Sequence, residues 1–232
     1  MPALRDDIDP DGLLEYSVVF SDRSLNSMSD AFGEVMRDIS RIMRNAYGAA
    51  SVAVVPGGGT YGMEAIARQF ANDARVLVIR NGWFSYRWSQ IMEAGKLASH
   101  TTVLAASQSD DSTDAPFAPC PLEDILERIR AEKPDVVFCP HVETSAGMMM
   151  PDDFIRAVTD CVHEHGGIFV LDCVASGTVF VNLEETGVDV LLTAPQKGWS
   201  ASPCAALVMM SPHGRARLDE TTSSSFANDL KK

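Results

Sequence analysis

The stretch VVPGGGTYGMEA, residues 54–65, decides how the chain folds. A β-branched run meets a proline and three glycines, and beyond Thr60 apolar residues return at helical spacing. This reads as a strand, a glycine turn and a helix N-terminus in direct succession. The first amides of a helix have no partner within it, and the helix dipole is positive there. The amides of Gly58, Gly59 and Thr60, with the Thr60 hydroxyl, therefore form a candidate phosphate cradle; the plain alternative is a glycine turn without a ligand. Gly57, Gly59 and Gly62 also fit GxGxxG, a pattern that expects an acidic residue at the end of the next strand. That strand, VLVIR (76–80), is followed by Asn81 instead. Arg80 leaves an NADP-binding reductase as a distant alternative.

Outward from this turn, short β-branched runs alternate with amphipathic ones. Strands are expected at SVAVV (51–55), VLVIR (76–80), TTVLAA (101–106), DVVFC (135–139), GIFVLDC (167–173), VDVLLTA (188–194) and AALVMM (205–210). Helices are expected over residues 62–73, 83–95, 122–132 and 151–167, the last opened by Pro151 and an acidic pair and closed by Gly166. Continuous apolar strands alternating with helices predict an α/β fold, a mainly parallel sheet covered on both faces in three layers. Before residue 51 the pattern changes. A polar arm over residues 1–24 precedes an amphipathic helix whose stripe is Met28, Phe32, Met36, Ile39 and Ile42. At the other end, TTSSSFANDLKK (221–232) reads as a polar tail soon after a strand, with no closing helix.

The 232 residues are 46% hydrophobic and 22% charged, an ordinary soluble balance with room for a sizeable core. No apolar run is long enough to span a bilayer, and the N-terminus lacks a signal core, so a cytoplasmic location is expected. A net charge of −13 repels phosphate backbones and argues against nucleic acid as a partner. The five cysteines are odd in number, widely spaced and mostly in apolar runs, which suggests reduced core thiols. His163 and His165, two apart, cannot share a helical face as i, i+4 ligands do, and no metal is expected.

In a doubly wound sheet, ligands gather at the carboxyl ends of the strands. Besides the glycine turn, two other strand ends carry chemistry. Asp172 ends the apolar run of GIFVLDC, where a carboxylate is costly unless paired. A protonated heterocyclic nitrogen would pair with it; bonds from loop amides are the simpler alternative. Lys197 lies just past VDVLLTA, among Gly198, Trp199 and Ser200 and without an adjacent carboxylate. An amine nucleophile must be neutral part of the time, through burial or a nearby cation; otherwise Lys197 is a solvated surface residue. A phosphate cradle, a buried aspartate and an isolated lysine are together what pyridoxal 5′-phosphate requires.

VVPGGGTYGMEAIA, RNGWFSYRW, HVETSAGMMMP, FVLDCVASG and TAPQKGW occur in the order and approximate spacing of the class V aminotransferases. From about residue 25 onward the chain resembles these fold type I pyridoxal-phosphate enzymes, the alanine–glyoxylate and serine–pyruvate type above all. The resemblance implies that Lys197 forms the Schiff base and moves the substrate proton, while Asp172 keeps the pyridine nitrogen protonated. It implies phosphate contacts from Gly59, Thr60 and Gln196, and a ring stacked between Phe84 and Val174, although Phe84 alone reads as ordinary core. Thr144 would bond the ring oxygen. Gln196 stands where cysteine desulfurases carry histidine, which argues against desulfuration. The implied protein is a homodimer acting on small amino and oxo acids, and residues 25–232 would be its cofactor-binding large domain, without the smaller C-terminal domain. β-Elimination, 2-aminoethylphosphonate transamination and a non-catalytic cofactor-binding fragment are the alternatives.

Overall fold

The structure, a computed structural model, describes residues 28–232. The arm expected over residues 1–24 lies outside the described residues. Residues 28–42 belong to one unit, and Met43–Lys232 form a second. The described part of the first is helical. Helix α1 runs Asp30–Tyr47 and carries the expected stripe only in part. Phe32, Met36 and Ile39 are half-buried, while Met28 and Ile42 are exposed. The stripe continues into Met43 and Tyr47, both buried, because the 3.6-residue period favours Met43 over Ile42 four residues beyond Ile39.

In the second unit the elements follow in order: β1 (Ser51–Pro56), α2 (Gly59–Phe70), β2 (Arg75–Arg80), α3 (Trp83–Gly95), β3 (His100–Ala105) and a hairpin of β4 (Ser107–Gln108) with β5 (Phe117–Ala118). Then come α4 (Leu122–Glu132), β6 (Val136–Pro140), a second hairpin of β7 (Val142–Glu143) with β8 (Met148–Met149), α5 (Asp152–His163) and β9 (Ile168–Asp172). The chain continues through α6 (Leu183–Thr186), β10 (Val190–Thr193), β11 (Ala205–Met210) and α7 (Pro212–Glu220). Helix α7 corrects the expected end of the chain. Ser211 caps it by accepting the Gly214 amide, Pro212 fits its first turn, and Leu218 is buried. With charged residues over most of its surface, its apolar signal was too thin to register.

The seven-stranded sheet has the order β1-β11-β10-β9-β6-β2-β3. The neighbours from β10 through β9, β6 and β2 to β3 are parallel, whereas β11 is antiparallel to both β10 and β1. Six strands therefore share one direction, and their carboxyl ends lie along one edge. Strands β6, β9, β10 and β11 are buried at every residue, as continuous apolar runs covered on both faces should be. On one face Ile66 and Phe70 of α2, Trp88 and Met92 of α3 and Leu218 of α7 pack with Val78, Phe138, Val170, Leu192 and Val208. Ile125 and Ile129 of α4 and Ile155 and Val158 of α5 are buried on the helices of the other layer. This is the predicted three-layer arrangement. Among the described residues no helix is long and apolar enough to cross a membrane.

Helix α2 lies so close to the sheet that a Cβ on Gly62 would come 2.5 Å from both Ala206 Cβ and Leu192 Cδ1. The last glycine of the GxGxxG pattern thus serves helix–sheet packing. Gly62→Ala should lower stability by about 1–2 kcal/mol despite the better helix propensity of alanine, because overpacking a core outweighs it. Urea unfolding checks this; an unchanged or raised midpoint would show that α2 can shift outward freely.

Candidate active site

A cavity of about 190 Å³ opens at the carboxyl edge of the sheet, lined by Gly59, Thr60, Phe84, Thr144, Asp172, Val174, Gln196 and Lys197 together with Met63, Arg87, Val142 and Ala175. Residues up to 138 positions apart in the sequence meet there (Gly59 and Lys197). Gly58 is the N-cap of α2, one residue behind the lining. The cavity is smaller than the roughly 300–1,000 Å³ of drug-sized sites, so it suits a compact ligand. A wider hollow of about 490 Å³ lies between Arg80, Trp83, Tyr86 and Phe117, without the aspartate and lysine.

The cradle follows from the start of α2. Gly58 has extended backbone and no side chain to cap the helix, so the first-turn amides of Gly59 and Thr60 have no capping acceptor. Gly57 itself, at φ 119°, donates its amide to the Cys204 carbonyl at 2.9 Å and holds the turn against the strand pair. Arg87, which the sequence reading missed, reaches the same place: its Nη1 donates to Thr60 Oγ1 at 3.0 Å. Its position one turn beyond Phe84 on α3 was the only available signal.

Two buried carboxylates lie close by, with opposite character. Glu143 is fully buried and accepts the amides of Phe84 (3.1 Å) and Ser85 (2.9 Å), the Ser85 hydroxyl (2.6 Å) and the Ser145 hydroxyl. Burial alone would raise its carboxyl, but those donors outweigh burial and hold it below the usual range. Glu143 thereby caps α3 and fixes Phe84, another role invisible in sequence. Asp172 is 7% exposed and accepts one amide, from Val174 at 3.0 Å. Burial pushes its carboxyl up from 3.8 to about 6, against the Val174 amide and the Arg87 charge, with Glu143 adding to the rise. The loop amides that might have satisfied Asp172 are thus reduced to a single bond. Its Oδ2 accepts no hydrogen bond among the described residues and is left for a cationic donor.

Lys197 stands exposed at the cavity, and no hydrogen bond or ion pair holds its amine among the described residues. Burial, one of the two devices expected to keep it neutral, is therefore not what the fold provides. Its backbone is fixed nonetheless. The Lys197 amide donates to the Ala194 carbonyl at 3.2 Å, and Ala201 closes the loop onto Pro195 at 3.0 Å. Gly198 lies directly against the Gly177 carbonyl, leaving no room for a Cβ. Trp199 packs on Phe180 (centroids 5.2 Å) and Tyr47 (6.3 Å). Gln196 buries its Oε1 without a donor. Phe84, at 40% exposed, is not the ordinary core residue its sequence alone suggests. Of the thiols, Cys139, Cys161 and Cys173 are buried and Cys204 is exposed, all unbridged.

No protein-family model matches the chain. Among curated proteins it is 30% identical over 184 residues to the small subunit of a soluble hydrogenase from Synechococcus sp., covering 78% of this chain and 45% of that protein. It is 27% identical over 195 residues to the L-aspartate–glyoxylate aminotransferase of Paracoccus denitrificans (82% and 47%). Over 217 residues it is 29% identical to the 2-aminoethylphosphonate–pyruvate transaminase of Paraburkholderia phymatum (90% and 54%). Among solved structures, an aspartate aminotransferase of Thermus thermophilus superposes with a TM-score of 0.74 at 27% identity, covering 90% of this chain and 56% of that one. The ureidoglycine–glyoxylate aminotransferase of Bacillus subtilis does so at 0.77 and 22% identity (91% and 53%). The fold is that of the fold type I pyridoxal-phosphate transferases. In sequence the chain is similar to class V aminotransferases, as its motifs led us to expect. It spans about half the length of the curated relatives it matches.

The rise of Asp172 has a consequence for stability. Because the folded protein holds this proton more tightly than the unfolded chain, the group favours folding below about pH 4, and that contribution is lost as pH rises through about 6. Above that, the ionised carboxylate costs roughly 3 kcal/mol at most. In ligand-free protein, Asp172→Asn should therefore gain stability relative to wild type between pH 4 and pH 8, by up to about 3 kcal/mol. Urea unfolding at several pH values measures it; a difference independent of pH would mean that the Asp172 charge is already balanced.

Proposed function

We propose that this chain binds pyridoxal 5′-phosphate and forms the cofactor-binding part of an aminotransferase. The amino donor would be a small amino acid of the alanine or serine type, and the acceptor an oxo acid such as glyoxylate or pyruvate. The reading is carried by one observation: a buried carboxylate with a single donor lines the same cavity as an amine with no partner among the described residues. The surrounding groups suit the same cofactor. The uncapped amides at Gly58, Gly59 and Thr60 would take its phosphate, with the Gln196 side chain, whose buried oxygen lacks a donor, beside them. Phe84 and Val174 offer apolar surfaces for a flat ring, and Thr144 a hydroxyl at its rim.

When bound, the pyridine ring supplies an electron sink for the pair left behind as a substrate α-carbon loses its proton. Asp172 would keep the ring nitrogen protonated, since a cation there removes the cost of the buried charge. Lys197 would anchor the cofactor aldehyde through its amine. Once displaced by the donor amine, it would take the α-proton and return it on the far side of the transfer. Met63, Val142 and Ala175 would help keep water from the reacting face. The exposed apolar side chains Trp83, Val179 and Phe180 support a homodimer. The similarity to a 2-aminoethylphosphonate transaminase favours that donor as a second reading.

The test is to load the protein with pyridoxal 5′-phosphate, reduce it with borohydride and map the peptides. The pyridoxyl group should sit on Lys197 and vanish in Lys197→Ala. Label on another lysine, or none in folded protein at saturating cofactor, sinks the assignment. Amination of the bound cofactor by alanine, serine or 2-aminoethylphosphonate, followed by absorbance, separates the two donor readings.

A further inference from the structure

At the edge of the sheet opposite the cavity, three side chains from separate elements converge. Asp189 directly precedes β10, and the pairing of Val190 with Met210 sets it beside Ser211. His213 follows in the first turn of α7, and His163 is the last residue of α5. We propose that His163, Asp189 and His213 form a binding site for a divalent transition metal of the zinc type, independent of the cavity and of its proposed reaction.

The geometry carries the proposal. His163 Nε2 lies 2.9 Å from Asp189 Oδ2, and His213 Nδ1 lies 2.9 Å from Asp189 Oδ1. All three ligand atoms lie within 4.8 Å of one another. A metal bound at about 2.1 Å keeps tetrahedral ligand atoms about 3.4 Å apart, so each 2.9 Å imidazole–carboxylate contact would open by about half an ångström to admit it. The two imidazoles stand edge to face, with centroids 4.9 Å apart and planes at 90°, so they approach one another without stacking. The carboxylate is oriented from behind, by the Phe169 amide on Oδ2 at 2.8 Å and the Ser211 hydroxyl on Oδ1 at 3.4 Å. Such outer partners fix a ligating group in place.

The chemistry of the set selects the ion. Two imidazole nitrogens and one carboxylate oxygen suit zinc, cobalt or nickel better than magnesium or calcium, which prefer all-oxygen ligands. Asp189 is 0% exposed, whereas the His163 and His213 side chains are 33% and 45% exposed. The ion would thus enter from solvent and keep a water in its fourth position. Binding would displace the two imidazole–carboxylate hydrogen bonds, each neutral ring then carrying its proton on the nitrogen turned away from the metal. The bound metal would tie α5 and α7 to the start of β10, where the reversed strand β11 ends. The spacing of His163 and His165 hid this site, because the partner of His163 is fifty residues away at His213.

Equilibrium dialysis of the metal-stripped 232-residue chain against zinc should retain one equivalent and raise the Tm. His163→Gln and His213→Gln, each checked for folding by circular dichroism, should weaken retention at least about tenfold, since even the loss of an outer partner costs that much. Cobalt substitution in the wild-type chain distinguishes this site from the exposed Cys204 thiol. Ligand-field bands without thiolate charge transfer are expected. No retained zinc, equal retention by both histidine variants, or a thiolate charge-transfer band on the single bound cobalt would overturn the proposal. The last readout needs no variant to fold.

Discussion

Strand β11 hydrogen-bonds antiparallel to β1 on one side and to β10 on the other, and the cavity depends on that double reversal. Two reversals restore direction, so β1 points the same way as β10 although β11 separates them. Pro56 pairs with Ala205 and Thr193 with Leu207, which brings the exits of β1 and β10 to one edge. The glycine turn and the lysine loop leave from those exits. With β11 parallel to its neighbours, the loop from Ala194 to Cys204 would have to cross the whole sheet. Running antiparallel, it can turn back on the spot, and Gly57 bonds to Cys204 at the turn. The reversed strand also carries Ala206, small enough to let Gly62 of α2 approach.

How much of this was legible in the sequence follows from the range of each signal. Strand and helix periodicities are local, and the seven apolar runs became the seven strands of the main sheet, with ends moved by a residue or two. Helices α3 and α4 kept the expected bounds, 83–95 and 122–132, because glycine or an acidic first turn marks their ends. What escaped was weakly patterned or non-local. Helix α7 is polar over most of its length, and its one fully apolar anchor, Leu218, makes no stripe. The hairpin β7–β8 hides in HVETSAGMMM, where two-residue strands are too short to alternate visibly. Lys197 and Asp172 could be singled out because a charge beside an apolar run is anomalous within a window of a few residues. Glu143 and Arg87 could not, since their partners lie 58 and 27 positions away.

Three buried carboxylates in this unit show how donor supply separates structural from available charge. Glu143 receives four hydrogen bonds and holds the start of α3. Its ionised form is favoured, and a ligand would have to displace bonds that already exist. Asp189 has an amide, a hydroxyl and two imidazoles around it, so its carboxylate is met within the protein. Asp172 has one amide and pays for burial with a raised carboxyl. A buried ionised group left this poorly paired lowers stability, and no packing advantage at the end of β9 requires it. That carboxylate lines a cavity that also holds helix amides without a side-chain cap and an amine with no partner among the described residues. In the proposed reading, one small ligand that is both phosphorylated and protonated on a ring would meet all three groups. A site selected only for folding would have neutralised at least one of the three within the protein.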